Sequence, residues 1–199
     1  VMNNTLRHYG ALSAYGSDIP IACAGIISKV NQVFMAICIG ISQGSQPILG
    51  FNYGAEKYSR VRQTYRYSVT LCTVIATIFF ICFQFFPHQI VGIFGNGSDL
   101  YFHFAEKYLR IFMLMTFANG IQPMSACFFT SIGKARLGVI MSLTRQVLFL
   151  LPLIVIFPVF FGIDGVMYAG PIADTSAFVL AVVFARRELG VMKAAEQNA

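Results

Sequence analysis

The chain is 199 residues long, 57% hydrophobic and only 11% charged, with 20 Phe, 9 Tyr and a formal net charge of +6. Soluble domains carry roughly a quarter charged residues, so this composition excludes an ordinary soluble fold and points to an integral membrane protein. The basic residues sit between apolar blocks rather than over one polar face, which argues against a nucleic-acid partner and matches a membrane-topology signal.

In chain order, Val1 to Arg7 shows no charged-then-apolar leader pattern and reads as the end of an earlier segment, so a longer parent chain is expected. Five apolar blocks follow, at about 19–50, 67–86, 107–131, 137–161 and 165–185. Each reaches the ~20 residues that a helical span needs. They predict one all-α membrane domain over 1–199, a polytopic bundle of about five transmembrane helices. The first block exceeds a perpendicular span at ~1.5 Å per residue, so it must tilt, bend or project into water. The segments 50–67 and 132–136 and the tail after Ala185 carry Lys57, Arg60, Arg62, Arg66, Lys134, Arg136, Arg186, Arg187 and Lys193. The opposite connections, 1–18, 87–106 and 162–164, carry Arg7 alone, with Lys107 and Arg110 just inside a helix end. Basic loops stay on the cytoplasmic side. A multi-pass protein of the cell membrane with a cytoplasmic C-terminus is therefore expected.

The five cysteines, Cys23, Cys38, Cys72, Cys82 and Cys127, all lie in apolar runs without a CxxC pair. They read as small buried hydrophobes rather than disulfide or metal partners. His8, His88 and His103 fall in or near the outer loops without metal-ligand spacing. No GxSxG, HExxH, Walker A or Rossmann pattern is present, so neither an enzyme nor a nucleotide-driven pump is indicated.

Polar residues inside spans are costly and usually face a protein interior or a wet cavity. In the first block Lys29, Gln32, Ala36, Gly40, Gln43 and Pro47 step by three or four and share one helix face. Thr116, Asn119, Pro123, Ala126, Thr130 and Gly133 do so in the third, Gly138, Ser142 and Arg145 with Gln146 in the fourth, and Gly170, Asp174, Ala177 and Ala181 in the fifth. Ala36, Gly40, Ala126 and Ala177 are expected to let helices approach closely. Gln43, Gln46, Asn119 and Gln122 fit a cavity wall or interhelical hydrogen bonds, and both remain open. Three charges stand deep in spans: Lys29, Arg145 and Asp174. An unpaired charge there costs at least ~2.5–3.5 kcal/mol, so Asp174 should meet Lys29 or Arg145. That pair is either structural or part of an ion-linked switch.

The first block ends in Gln43-Gly44-Ser45-Gln46-Pro47, continuing through Gly50, Asn52, Tyr53 and Gly54. Gly44 and Gly50 are expected to permit a bend or close approach, Asn52 and Tyr53 to sit at the membrane interface, and Gly54 to close the helix in a left-handed cap. A weaker echo occurs in Gly120-Ile121-Gln122-Pro123-Met124, followed by Gly133-Lys134-Ala135-Arg136.

The stretch 40–69, GISQGSQPILGFNYGAEKYSRVRQTYRYSV, resembles the start of the C-terminal lobe in the MATE (multidrug and toxic compound extrusion) transporters, particularly their multidrug-export members. Softer support comes from NN-x-L-x-x-Y-G at 3–10, Ile93-Phe94-Gly95, the Gln122-Pro123 and Gly133-Lys134-Ala135-Arg136 pair, and Gly162-Ile163-Asp164-Gly165-Val166. The resemblance covers nearly the whole chain. It implies a twelve-helix transporter of two six-helix lobes, with the five blocks standing as helices eight to twelve and the N-terminal lobe missing as a partner. It also implies export of amphipathic or cationic drugs by antiport, with a proton or sodium as coupling ion and no other cofactor. In one branch of the family the coupling carboxylates lie in the N-terminal lobe, and in another, acids on helices seven and ten contribute. Asn119 occupies the middle of the tenth-helix equivalent and Glu106 its outer end, which argues against a cation site in this lobe. Lys29 falls where a cavity-facing basic residue suits the family. Alternatives of related or different class are a flippase for lipid-linked saccharides and a non-transporting membrane scaffold lobe. A flippase cavity would need several cations for a pyrophosphate, and the spans offer only Lys29 and Arg145.

Overall fold

A computed structural model describes residues 2–13, 15–94 and 97–197, so Gly95 of the Ile93-Phe94-Gly95 motif lies outside the described residues. The chain forms helices α1 (Met2–Ala11), α2 (Asp18–Gly54), α3 (Tyr58–Phe85), α4 (Pro87–Phe94), α5 (Asp99–Phe112), α6 (Thr116–Asn119), α7 (Ile121–Ser131) and α8 (Ala135–Leu143). A π-helical stretch, Thr144–Leu150, then leads into α9 (Leu151–Phe161) and α10 (Asp164–Gln197). The result is an all-α membrane protein. Among the described residues four helical runs are long and apolar enough to cross a bilayer, and the bent pair α5 with α6–α7, taken as one broken span, makes a fifth.

The first block is one continuous helix of 37 residues. At 1.5 Å per residue it is ~55 Å long, well beyond the ~30 Å hydrocarbon core. One stripe, through Cys23, Ile27, Val30, Phe34, Cys38, Ser42, Ser45 and Leu49, is buried against α3, α5 and α7. Its steps of three and four residues follow from 3.6 residues per turn.

Gly54 does not form the expected left-handed cap. It is the last helical residue, and the positive φ falls two residues later on Glu56 (φ 58°). Lys57 N–H donates to the Asn52 carbonyl (2.9 Å) and Glu56 N–H to that of Tyr53 (3.0 Å). That is the paired 6→1 and 5→2 closure of a Schellman motif. The end of α7 repeats it. Lys134 N–H donates to Phe129 (2.9 Å), Gly133 N–H to Thr130 (3.2 Å), and Gly133 has φ 79°. The internal echo is thus a shared helix ending, in which Glu56 and not Gly54 matches Gly133. A non-glycine residue in this conformation costs ~1–2 kcal/mol, and glycine returns ~0.5–1 kcal/mol of that through unfolded-state entropy. Glu56 is exposed, and its side chain has no hydrogen bond or ion pair among the described residues. Glu56→Gly should therefore stabilise the protein by ~0.5–1 kcal/mol, read as a higher thermal midpoint in detergent; a lower midpoint would contradict it.

The third block is bent rather than straight. α5 starts at Asp99, well before the apolar block, and meets α6–α7 at 47°. Around the break Thr116 N–H bonds Met113 and Ala118 N–H bonds Met115, so the chain turns through tight three-residue steps. The bend sets Gly120 against α3, where an added Cβ would lie 2.9 Å from the Cys72 carbonyl oxygen. In the fourth block, Pro152 supplies no N–H to the carbonyl one turn back. The preceding turns widen, and Leu151 N–H reaches five residues back to Gln146.

The tail after Ala185 is not a loop. α10 runs on to Gln197, burying Glu188 and Met192 while Arg186, Arg187 and Lys193 stay exposed. Lys134 Nζ meets both Glu188 carboxylate oxygens at 2.6 Å, and Arg62 pairs with Glu196. These contacts gather the three basic segments at one end of the bundle. Lys107–Asp164 and His88–Glu106, each 2.7 Å, tie α5 to α10 and to α4 at the other end. Cys23, Cys38 and Cys72 are buried, Cys82 and Cys127 half-buried, and all five thiols are free. The least covered runs are α3 and α8–α9, whose Leu71, Val74, Ile78, Val155 and Phe160 face outward.

Candidate functional site

Gly138 determines where the site can form. An added Cβ there would lie 2.8 Å from the Ala126 carbonyl oxygen and 2.5 Å from Thr130 Oγ1, so its absence brings α8 hard against α7. One and two turns further on, the same face presents Ser142 and then Arg145 with Gln146. Opposite stands α2, offering Ser42, Gln43 and Gln46. These elements enclose an open cavity of about 530 Å³. Gln43, Gln46, Gln122 and Gln146 supply amides to its wall, and Met35, Ile39, Val139 and Leu143 supply apolar surface. Gln122 Nε2 donates to the Met141 carbonyl (3.0 Å), which fixes it between α7 and α8. Gln43, Gln46 and Gln146 have no hydrogen-bond partner among the described residues.

Arg145 is the one charged side chain in the lining. Its Nε donates to Asp174 Oδ1 at 2.6 Å, and Asn119 Nδ2 donates to Asp174 Oδ2, also at 2.6 Å. Asp174 is 2% exposed and Asn119 4%, so both carboxylate oxygens are satisfied away from water. Of the two partners left open by the sequence, Arg145 is the one that meets Asp174. Lys29 is exposed on α2, with no acidic partner among the described residues. Gln32 is exposed as well.

The structure brings Gln43, Gln46, Gln122 and Arg145 to one cavity and sets Asn119 and Asp174 behind its wall. Lys29 and Gln32 lie outside it, on the same α2 face. On that face Ala36 and Gly40 are exposed, because no described element covers it. Ala126 and Ala177 are buried as expected. Gly44 and Pro47 are exposed, and Gly50 lies against the Ser131 carbonyl. Asn52 is buried and its Nδ2 donates to the Ile48 carbonyl (2.8 Å). The apolar wall residues Met35, Ile39, Val139 and Leu143 went unmarked in the sequence, although each lies three or four residues from a polar one on the same face. Among the described residues no group of three His, Cys, Asp or Glu side chains could hold a metal ion.

The chain is similar to "Multidrug export protein MepA" of Staphylococcus saprophyticus subsp. saprophyticus, 26% identical over 186 residues, covering 92% of this chain and 40% of that protein. It is similar to the protein of the same name in Staphylococcus haemolyticus, 26% over 174 residues, covering 86% and 37%. The chain thus spans about 40% of the length of the curated relatives it matches. Among solved structures, an outward-facing multidrug resistance MATE family transporter superposes with a TM-score of 0.85 at 15% identity, covering 97% of this chain and 43% of that one. The MATE multidrug transporter DinF-BH, solved in complex with a dye, does so at 0.79 and 34% identity, covering 89% and 40%. The MatE family model matches residues 10–161, well over half the sequence, and the chain belongs to the MatE family.

Proposed function

We propose that this chain is the C-terminal lobe of a secondary multidrug transporter, which exports amphipathic and often cationic drugs in exchange for protons or sodium ions. The observation that carries the proposal is the open cavity, lined by amides and apolar side chains and floored by a compensated Arg145. Loose, mixed walls suit substrates recognised by shape and partial polarity rather than by one fixed pairing. The bare α2 face, from Lys29 through Ala36 and Gly40 to Gln43, supports a second lobe as its cover. The basic end of the bundle supports a cytoplasmic C-terminus in the cell membrane. A saccharide-pyrophosphate flippase is less well supported, since a pyrophosphate calls for several cations and Arg145 is the one charged side chain in the lining. Exchange would then follow from a bound ion or drug biasing two packings of the lobes.

The test is dye accumulation in efflux-deficient bacteria expressing the whole protein that contains this chain. Expected is a several-fold lower steady-state level of a cationic dye, restored to the control level by collapsing the proton gradient or the sodium gradient. Accumulation equal to the empty-vector control, at normal membrane expression, would overturn the proposal.

A further inference from the structure

We infer that Arg145 is a carboxylate-binding anchor, so that the cavity selects amphipathic molecules carrying a carboxylate, zwitterions included, over their neutral-ester counterparts. The inference rests on the proposed drug cavity and specifies its substrate class.

A guanidinium offers five N–H donors in one plane and can serve two anions along different edges. Asp174 takes the Nε of Arg145 (2.6 Å). Neither terminal nitrogen of Arg145 donates to a protein acceptor among the described residues. Neither is sealed from solvent, because Arg62 Nε is the one buried side-chain nitrogen or oxygen without a partner there. The two terminal nitrogens are therefore unpartnered and solvent-accessible, on a side chain that lines the cavity. Their end-on edge matches the two oxygens of a carboxylate, as in a fork-to-fork pair.

The side chain is also held for the task. The Arg145 side chain is 12% exposed and that of Asp174 3%. Asn119 fixes the far carboxylate oxygen (2.6 Å), and the widened turn Thr144–Leu150 carries Arg145 itself. An anchored guanidinium loses little further freedom on binding a ligand. No Asp or Glu lines the cavity, so nothing else there competes for the fork or repels an anion. The free amides of Gln43, Gln46 and Gln146 and the apolar surface of Met35, Ile39, Val139 and Leu143 suit the remainder of an aromatic amphiphile.

The experiment measures Kd by fluorescence anisotropy for rhodamine B, which carries a carboxylate, and for rhodamine B ethyl ester, which does not, on the purified whole transporter. The quantity read is the ratio of the two Kd values. In the unaltered protein the ratio should favour the carboxylate dye. Arg145→Lys keeps a cation for Asp174 but removes the fork, and should shift the ratio about tenfold toward the ester. An unchanged ratio would overturn the inference while leaving the drug cavity intact. No binding of either dye by the unaltered protein would overturn both. Should Arg145→Lys not fold, the unaltered protein decides. Displacement of the ester dye by 2-naphthoate should then occur at about tenfold lower concentration than by 2-naphthamide, and equal potency overturns the inference.

Discussion

Asp174→Leu, made in the whole transporter, should cost about 3–5 kcal/mol and sharply reduce the yield of monodisperse protein. The substitution takes the counter-charge from the Nε edge of Arg145, which faces the buried position 174, and removes the acceptor of the buried Asn119 Nδ2. Breaking a buried pair from one side carries that cost because the remaining ion has already lost its hydration. The triple change Asp174→Leu, Arg145→Met, Asn119→Leu removes all three polar groups together and should recover most of the loss, since apolar replacements of buried ion pairs are often neutral. Size-exclusion profiles and thermal midpoints of the single and triple variants measure both numbers. A mild single-variant effect would mean that water or another group already compensates Arg145. Asp174→Asn separates structure from coupling, because it keeps the shape and gives up only the charge. Ion-coupled efflux per unit of protein in the membrane should fall; unchanged efflux on that scale would remove Asp174 from the coupling step.

Gly165→Ala should be nearly as damaging, at about 2–3 kcal/mol or more, although it adds a single methyl group. Gly165 lies in the first turn of α10, where α9 folds back across it. A Cβ there would stand 2.5 Å from the Phe157 carbonyl carbon and 2.6 Å from its oxygen and from the nitrogen of Pro158. All three are backbone atoms, so no side chain can swing aside, and the hairpin itself must open. Overpacking a tight core typically costs ~1–3 kcal/mol even where side chains can adjust. Gly44, with nothing near its missing Cβ, is the internal control. Gly44→Ala should change the midpoint little, and by replacing glycine within a helix it should tend to raise it. Equal midpoints for Gly165→Ala and the unaltered protein would show that the α9–α10 crossing is looser than this geometry.

Much of the candidate site was legible before any coordinates, for one reason. A polar or charged residue inside an apolar span is costly, so its helical spacing reports which face needs a partner. Gln43, Gln46, Gln122 and Arg145 stood out on that ground and share one cavity. Asp174 stood out by depth alone. Its partner stayed open, since Lys29 and Arg145 are equally suited by charge and depth. Distances between helices decide such pairings, and periodicity along one helix carries none of that information. The same limit hid the apolar wall of Met35, Ile39, Val139 and Leu143, which look like any other membrane-facing residues until a facing helix is in place.

The amino-acid sequence by itself determined the class of molecule, the number of apolar spans, the clustering of basic residues at one end and the polar faces of the helices. These follow from local terms: hydropathy over ~20 residues, the 3.6-residue period and the cost of buried charge. Only the tertiary structure decided where helices bend or widen, which residue adopts the left-handed cap, and which acid meets which base. Glu56 takes the cap in place of Gly54 because the hydrogen bonds from Lys57 to Asn52 and from Glu56 to Tyr53 close there. The third span bends at 113–115, and the bend brings Gly120 up against the Cys72 carbonyl. Arg145 faces Asp174 because α10 packs beside the widened turn of the fourth span, while Lys29 lies on a face that no described element covers. Each of these is settled by contacts between segments far apart in the chain.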